Sequence, residues 1–223
     1  MERGSPRPHT LPAGPAGPDD APSAGDQQPG GIGILLFDGV EELDAIGPWE
    51  VLKIWTRSHP EDGYRVFTVA AEAAPVRCWM GLRVHAEYSL DDCPPLEVLV
   101  HPGGTGTRDV MKDERWLDWL RQRRSQTPLF TSVCSGAIVY AAAGLLRNRP
   151  ATTHRWVLEE LAATDTTVDV RRNVRFIDDG DVITSAGISA GIDMALHLVA
   201  RLAGVERARE VREIMEYDPE PPV

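Results

Sequence analysis

Apolar residues in this chain gather in short blocks that do not alternate with polar ones. Ile32–Phe37, Tyr64–Ala70, Leu96–Val100 and Leu129–Val133 are such blocks. Unbroken apolar, β-branched runs of this length predict strands buried on both faces, as in a parallel sheet. Between them the spacing changes to a helical one. Trp49, Leu52 and Trp55 form one stripe, with Pro48 suited to a first helical turn. Trp116, Leu117, Trp119 and Leu120 form another over 115–124, and 192–202 and 205–217 predict two closing helices. Residues 72–96 read as a β-rich excursion with turns at Pro75, Gly81 and Pro94-Pro95. Val168–Val170, Val174–Ile177 and Val182–Ser185, with a turn at Asp179-Gly180, suggest a hairpin. Thr152 and Thr153 read as a short strand, after which His154 opens a helix running to Ala163. Strands and helices in alternation predict an α/β fold, a mostly parallel sheet sandwiched by helices, over 31–216.

Two terminal stretches differ from this pattern. Residues 1–30 hold seven Pro and five Gly with almost no large apolar side chain, so they read as a disordered tail. Residues 217–223 read as a short C-terminal tail.

The sharpest feature is the junction at Val133-Cys134-Ser135-Gly136, where a buried strand turns directly into a helix of small residues ended by Gly144. Such a corner lifts its central residue above the sheet edge, the geometry of a nucleophile elbow, here with Cys134 in place of serine. The helix N-terminus favours a thiolate there. The alternative is an inert, buried core thiol. Asp44 follows the first strand's carboxyl end, where ligands bind in open α/β sheets; the other reading is a helix cap. Gly103-Gly104-Thr105 follows another strand and suits an oxyanion or anion pocket, with a plain turn as the alternative. His154 reads as a catalytic partner, a pocket wall or a cap. Trp49 and Ile188 read as pocket walls, Trp49 equally well as core.

Composition narrows the function. Of 223 residues, 42% are hydrophobic and the net charge is -11, which argues against a nucleic-acid partner. Three cysteines without a CxxC pair fit neither a disulfide framework nor a metal site and suit a reducing cytoplasm. No apolar run approaches the roughly 20 residues that span a bilayer.

Taken together, Leu35–Asp44 with Gly47-Pro48, Pro102-Gly103-Gly104, Val133–Ala137, Ala143–Leu146, Ala151–His154 and Ser185–Asp193 resemble the ThiJ/PfpI superfamily, in its motif order, across roughly residues 31–215. The resemblance implies a flavodoxin-like, class I glutamine amidotransferase-like fold with a nucleophile elbow. Within the superfamily the pattern is most similar to the isonitrile hydratase branch. That implies hydration of an isonitrile to an N-substituted formamide, Cys134 as nucleophile, Asp44 as the facing acid, Ser135 in the place of a threonine, no cofactor, and a homodimer. Ser135 where PfpI-type proteases carry histidine weighs against a protease. An isonitrile carbon must accept both nucleophile and proton, so the chemistry asks for an acid protonated near neutral pH; Asp44 in an apolar setting suits it. Amides of Gly104 and Ser135 would then stabilise developing charge. Two alternatives stand beside this: a glyoxalase or deglycase using Cys134 on α-oxoaldehydes with His154 as proton shuttle, and a non-catalytic redox sensor built on the same thiol.

Overall fold

The structure is a computed structural model that describes residues 30–72 and 74–220. Of the expected tail over 1–30, residues 1–29 lie outside the described part, as do the last three residues, while Gly30 already belongs to the first strand. In chain order the elements are β1 (Gly30–Leu36), α1 (Glu42–Ser58), β2 (Tyr64–Ala70), β3 (Pro75–Arg77), β4 (Arg83–His85), β5 (Tyr88–Ser89) and β6 (Val98–His101). Then come α2 (Thr107–Val110), α3 (Glu114–Arg124), β7 (Leu129–Val133), α4 (Gly136–Ala142), β8 (Pro150–Ala151) and α5 (Leu158–Thr164). The chain closes with β9 (Asp169–Val170), β10 (Phe176–Asp178), β11 (Val182–Ser185), α6 (Ala190–Ala203) and α7 (Val205–Ile214).

The main sheet runs β10-β11-β7-β6-β1-β2-β5. Every neighbouring pair is parallel except β10 with β11. Its central strands are buried almost throughout, as the unbroken apolar blocks require. α1 packs on α6 and α7, and α4 packs on α2, α3 and α5, giving two helical layers around the sheet. The parallel core therefore follows the flavodoxin-like winding. Its ligand crevice lies at the strands' carboxyl ends, around the switch point between β1 and β6.

Several local expectations are corrected. α1 begins at Glu42, so Pro48 sits inside the helix rather than in its first turn. The buried Pro48 lies close to Gly191 of α6, and its missing N–H deprives the Asp44 carbonyl of its intrahelical donor. The strand expected at Thr152-Thr153 lies just before them, at Pro150–Ala151, and α5 starts at Leu158 rather than His154. β10 and β11 form the hairpin around Asp179-Gly180, but Val168–Val170 belongs elsewhere: β9 pairs with β8 in a separate two-stranded sheet. Alternation alone does not choose between such partners.

Candidate active site

Four strand ends converge on one spot. The segments after β1, β6, β7 and β11 bring together Asp44, Gly103, Cys134 and Ile188. Cys134 occupies the turn between β7 and α4 with φ +55°, the left-handed region that a side chain rarely enters. Its amide donates to the carbonyls of Ser185 and Ala186, and its carbonyl accepts the Thr153 hydroxyl at 2.6 Å. Gly136 allows the sharp turn, since a Cβ there would lie 2.2 Å from the His101 carbonyl oxygen. Ile188 is strained too, at φ +50° for a β-branched residue. Two strained residues held opposite each other indicate a corner fixed by its surroundings.

The strain has a purpose in the electrostatics. The Ile188 amide is turned toward both the Cys134 thiol and the Asp44 carboxyl, and the Ser135 amide also faces the thiol. Asp44 is wholly buried on the first turn of α1. It does not cap that helix: the N-cap is Glu41, which makes no side-chain capping bond. Instead Asp44 Oδ2 accepts from the Gly103 amide at 3.0 Å. Its Oδ1 is buried and accepts no hydrogen bond among the described residues, leaving that oxygen for a proton. Burial pushes the Asp44 carboxyl up to about 7, against the pull of the Gly103 amide, the Cys134 thiol and the Ile188 amide, with Glu41 adding to the rise. Burial also pushes the Cys134 thiol up, to about 12, and the Asp44 charge adds to it, outweighing the Ser135 and Ile188 amides. Burial here opposes the thiolate expected from the helix dipole, and α4 is only seven residues long. Near neutral pH the thiol keeps its proton and the acid is poised between its two forms.

The glycine loop serves the site differently from the sequence-based expectation. The Gly104 amide donates to Ser135 Oγ at 2.9 Å, so it is not an open oxyanion donor. Ser135 Oγ in turn donates to the Gly104 carbonyl at 3.1 Å, tying loop to elbow. A Cβ on Gly103 would lie 2.5 Å from the Ser135 nitrogen and 2.8 Å from Asp44 Oδ2, so no side chain fits between acid and elbow. Thr105 is exposed and its hydroxyl turns to the Gly39 carbonyl, outside the site. Trp49 is also elsewhere, lining a hollow with Lys53, Arg57 and Met215 between α1 and α7. Ile188 contributes its amide. His154 is half-buried against Gly187, its Nδ1 accepting the Trp156 amide at 3.2 Å; burial, then Arg155, lowers its pKa. Sequence reasoning missed Thr153 and Thr107. The hydroxyl of Thr107 donates to the Gly104 carbonyl at 2.7 Å, and nothing in the sequence pattern marks it; Thr153 lies in the Ala151–His154 motif, but the pattern does not show that its hydroxyl reaches the elbow. Among the described residues no cluster of His, Cys, Asp and Glu could hold a metal ion.

The family model for the DJ-1/PfpI family matches residues 31–201. The chain belongs to the DJ-1/PfpI family. It is 41% identical over 191 residues to the isonitrile hydratase of Pseudomonas putida, covering 86% of this chain and 80% of that protein. It is 28% identical over 185 residues to the Parkinson disease protein 7 homolog of Danio rerio, covering 80% of this chain and 93% of that protein. A ThiJ/PfpI family protein from Pseudomonas syringae, of known crystal structure, superimposes with a TM-score of 0.80 at 31% identity, covering 97% of this chain and 85% of that one. Within this DJ-1/PfpI chain, among the described residues, no helix is long and apolar enough to cross a membrane.

Proposed function

We propose that this protein is an isonitrile hydratase working through Cys134 and Asp44. The observation that carries the reading is a buried thiol facing a buried acid whose pKa is raised to about 7. The similarity to the Pseudomonas putida isonitrile hydratase supports it. In the first step Cys134 Sγ attacks the terminal carbon of the isonitrile while its proton passes to Asp44. Asp44 then delivers that proton to the same carbon, giving a thioimidate, R–N=CH–S–Cys134. Because ionised Asp44 takes the thiol's proton as sulfur attacks, no free thiolate is needed. In the second step Asp44, again a carboxylate, takes a proton from water as its oxygen adds to the thioimidate carbon. That proton passes to the nitrogen; as the C–S bond breaks, the remaining hydroxyl proton passes through Asp44 to the sulfur, and the formamide R–NH–CHO leaves with the thiol restored. The Ser135 and Ile188 amides stabilise charge developing on sulfur, the role assigned from sequence to Gly104 passing to Ile188.

Infrared loss of the isonitrile stretch with cyclohexyl isonitrile tests this directly. Loss with appearance of the formamide is expected for the native protein and not for Cys134→Ala; no loss with the native protein overturns the reading. His154 beside the Gly187-Ile188 turn favours one second reading, a glyoxalase or deglycase, which methylglyoxal consumption separates. We also read the chain as a cytoplasmic homodimer. Exposed Trp79, Met80 and Leu82, on a hairpin whose Met80 and Leu82 amides donate to Glu42, support an apolar face beside the site.

A further inference from the structure

His101 is wholly buried at the end of β6 and belongs to no step of the reaction above. Its surroundings fix its protonation. The Trp116 indole N–H, which can only donate, points at His101 Nε2 at 3.2 Å. Nε2 is therefore the acceptor and Nδ1 carries the proton, which it donates to the Pro102 carbonyl at 2.8 Å. Among the described residues no charged group faces the ring; Phe37, Trp116 and Tyr140 surround it, and burial lowers its pKa to about 4. It stays neutral, in one tautomer, across the physiological range.

The Pro102 carbonyl and the Gly103 N–H are the two ends of one planar peptide unit. His101 grips one end. The other end donates to Asp44 Oδ2 at 3.0 Å. A continuous chain of donors therefore runs from α3 to the acid: indole to imidazole, imidazole to carbonyl, and the amide of that same peptide to carboxylate. Bonds in such a chain polarise one another, and rotation of the peptide is blocked at both ends.

We propose that His101, held by Trp116, is a positioning residue that aims the Gly103 amide at Asp44 and so sets the pH at which the Cys134–Asp44 pair releases its proton. The inference rests on the functional reading of that pair, not on the substrate. The groups facing Asp44 are Cys134 from the elbow, Glu41 at the start of its own helix, and the Gly103 and Ile188 amides. Of these, only the Gly103 amide is gripped from behind by a side chain whose tautomer is fixed. That amide favours the charged carboxylate, so loosening it raises the pH of release.

The test needs no isonitrile. Ionised Asp44 takes the thiol's proton as sulfur attacks carbon, so the rate of Cys134 alkylation by iodoacetamide, followed against pH in the full-length protein, follows Asp44 ionisation. His101→Leu is expected to move its midpoint up by on the order of half a unit to one unit. His101→Asn, which returns a donor to the Pro102 carbonyl, is expected to bring the midpoint back. Unchanged midpoints in a folded His101→Leu protein overturn the proposal. Should that variant fail to fold, histidine ¹⁵N spectra of the native protein decide: an Nδ1-protonated ring unchanged from pH 5.5 to 8.5 supports the proposal, and an Nε2-protonated or titrating ring overturns it. Absence of isonitrile turnover by the native protein, with the midpoint shift in His101→Leu still present, would count against the hydratase reading while leaving this one standing.

Discussion

Cys134 and Cys93 look alike by the usual measures. Each is 8% exposed, and burial raises both thiols, to about 12 and about 11. Their surroundings differ entirely. Cys93 lies in relaxed chain between β5 and β6, its thiol turned to the Pro94 carbonyl and its own carbonyl accepting from Arg123. Cys134 is held in a left-handed turn, faced by an acid and two amides. Burial and a raised pKa therefore do not mark a reactive cysteine. On the proposed mechanism the distinguishing feature is a strained backbone facing a buried proton acceptor, which would remove the thiol's proton as the bond to carbon forms.

The contrast is broken most directly by deleting each sulfur. Cys134→Ala is expected to lower isonitrile turnover by on the order of a thousandfold or more, while Cys93→Ala stays within about twofold, both read by infrared loss. Equal effects would remove the distinction. Asp44→Asn comes next, with a fall in kcat of about 10²–10⁴-fold. It also makes a stability prediction of definite sign. The folded Asp44 pKa of about 7 lies above the ordinary aspartate value of 3.8, so the folded state holds the extra proton between them. Stability therefore falls as pH rises through that window, by at most about 4 kcal/mol. Asn removes that slope, so the variant's gain over the native protein is expected to appear in thermal melts at pH 8.5 and to vanish near pH 4. Gly103→Ala sharpens the comparison differently. Its Cβ would press on the Ser135 nitrogen and Asp44 Oδ2, costing about 1–3 kcal/mol and at least tenfold in turnover. Smallest is Thr153→Val, which removes the 2.6 Å bond to the Cys134 carbonyl. About 1 kcal/mol in denaturant midpoint and a few-fold loss in kcat are expected.

Much of the fold was legible in the chain because burial on both faces leaves an unmistakable mark. Ile32–Phe37 and Leu129–Val133 are strands for the same reason that they are apolar without alternation. Short polar segments were less legible. Thr152-Thr153 carries strand propensity, yet both threonines leave the ladder, Thr152 donating to the Arg171 carbonyl and Thr153 to the elbow. Pro48 suggested a helix start, but it lies in the helix interior, close to Gly191.

The candidate site divides in the same way. The strand-to-helix corner, its cysteine and an acid beyond the first strand follow from residue order, since each needs only its immediate neighbours. The sequence could not show that the Gly104 amide is taken by Ser135, that the Ile188 amide turns to the thiol, or that Thr105 and Trp49 stand outside. Those outcomes depend on which loops meet above the sheet and on the orientation of single peptide planes. Residue order determined the winding of the sheet and the chemistry available at its carboxyl edge. Only the folded chain decided where the proton rests, because desolvation and amide direction are set by long-range packing that no local pattern encodes.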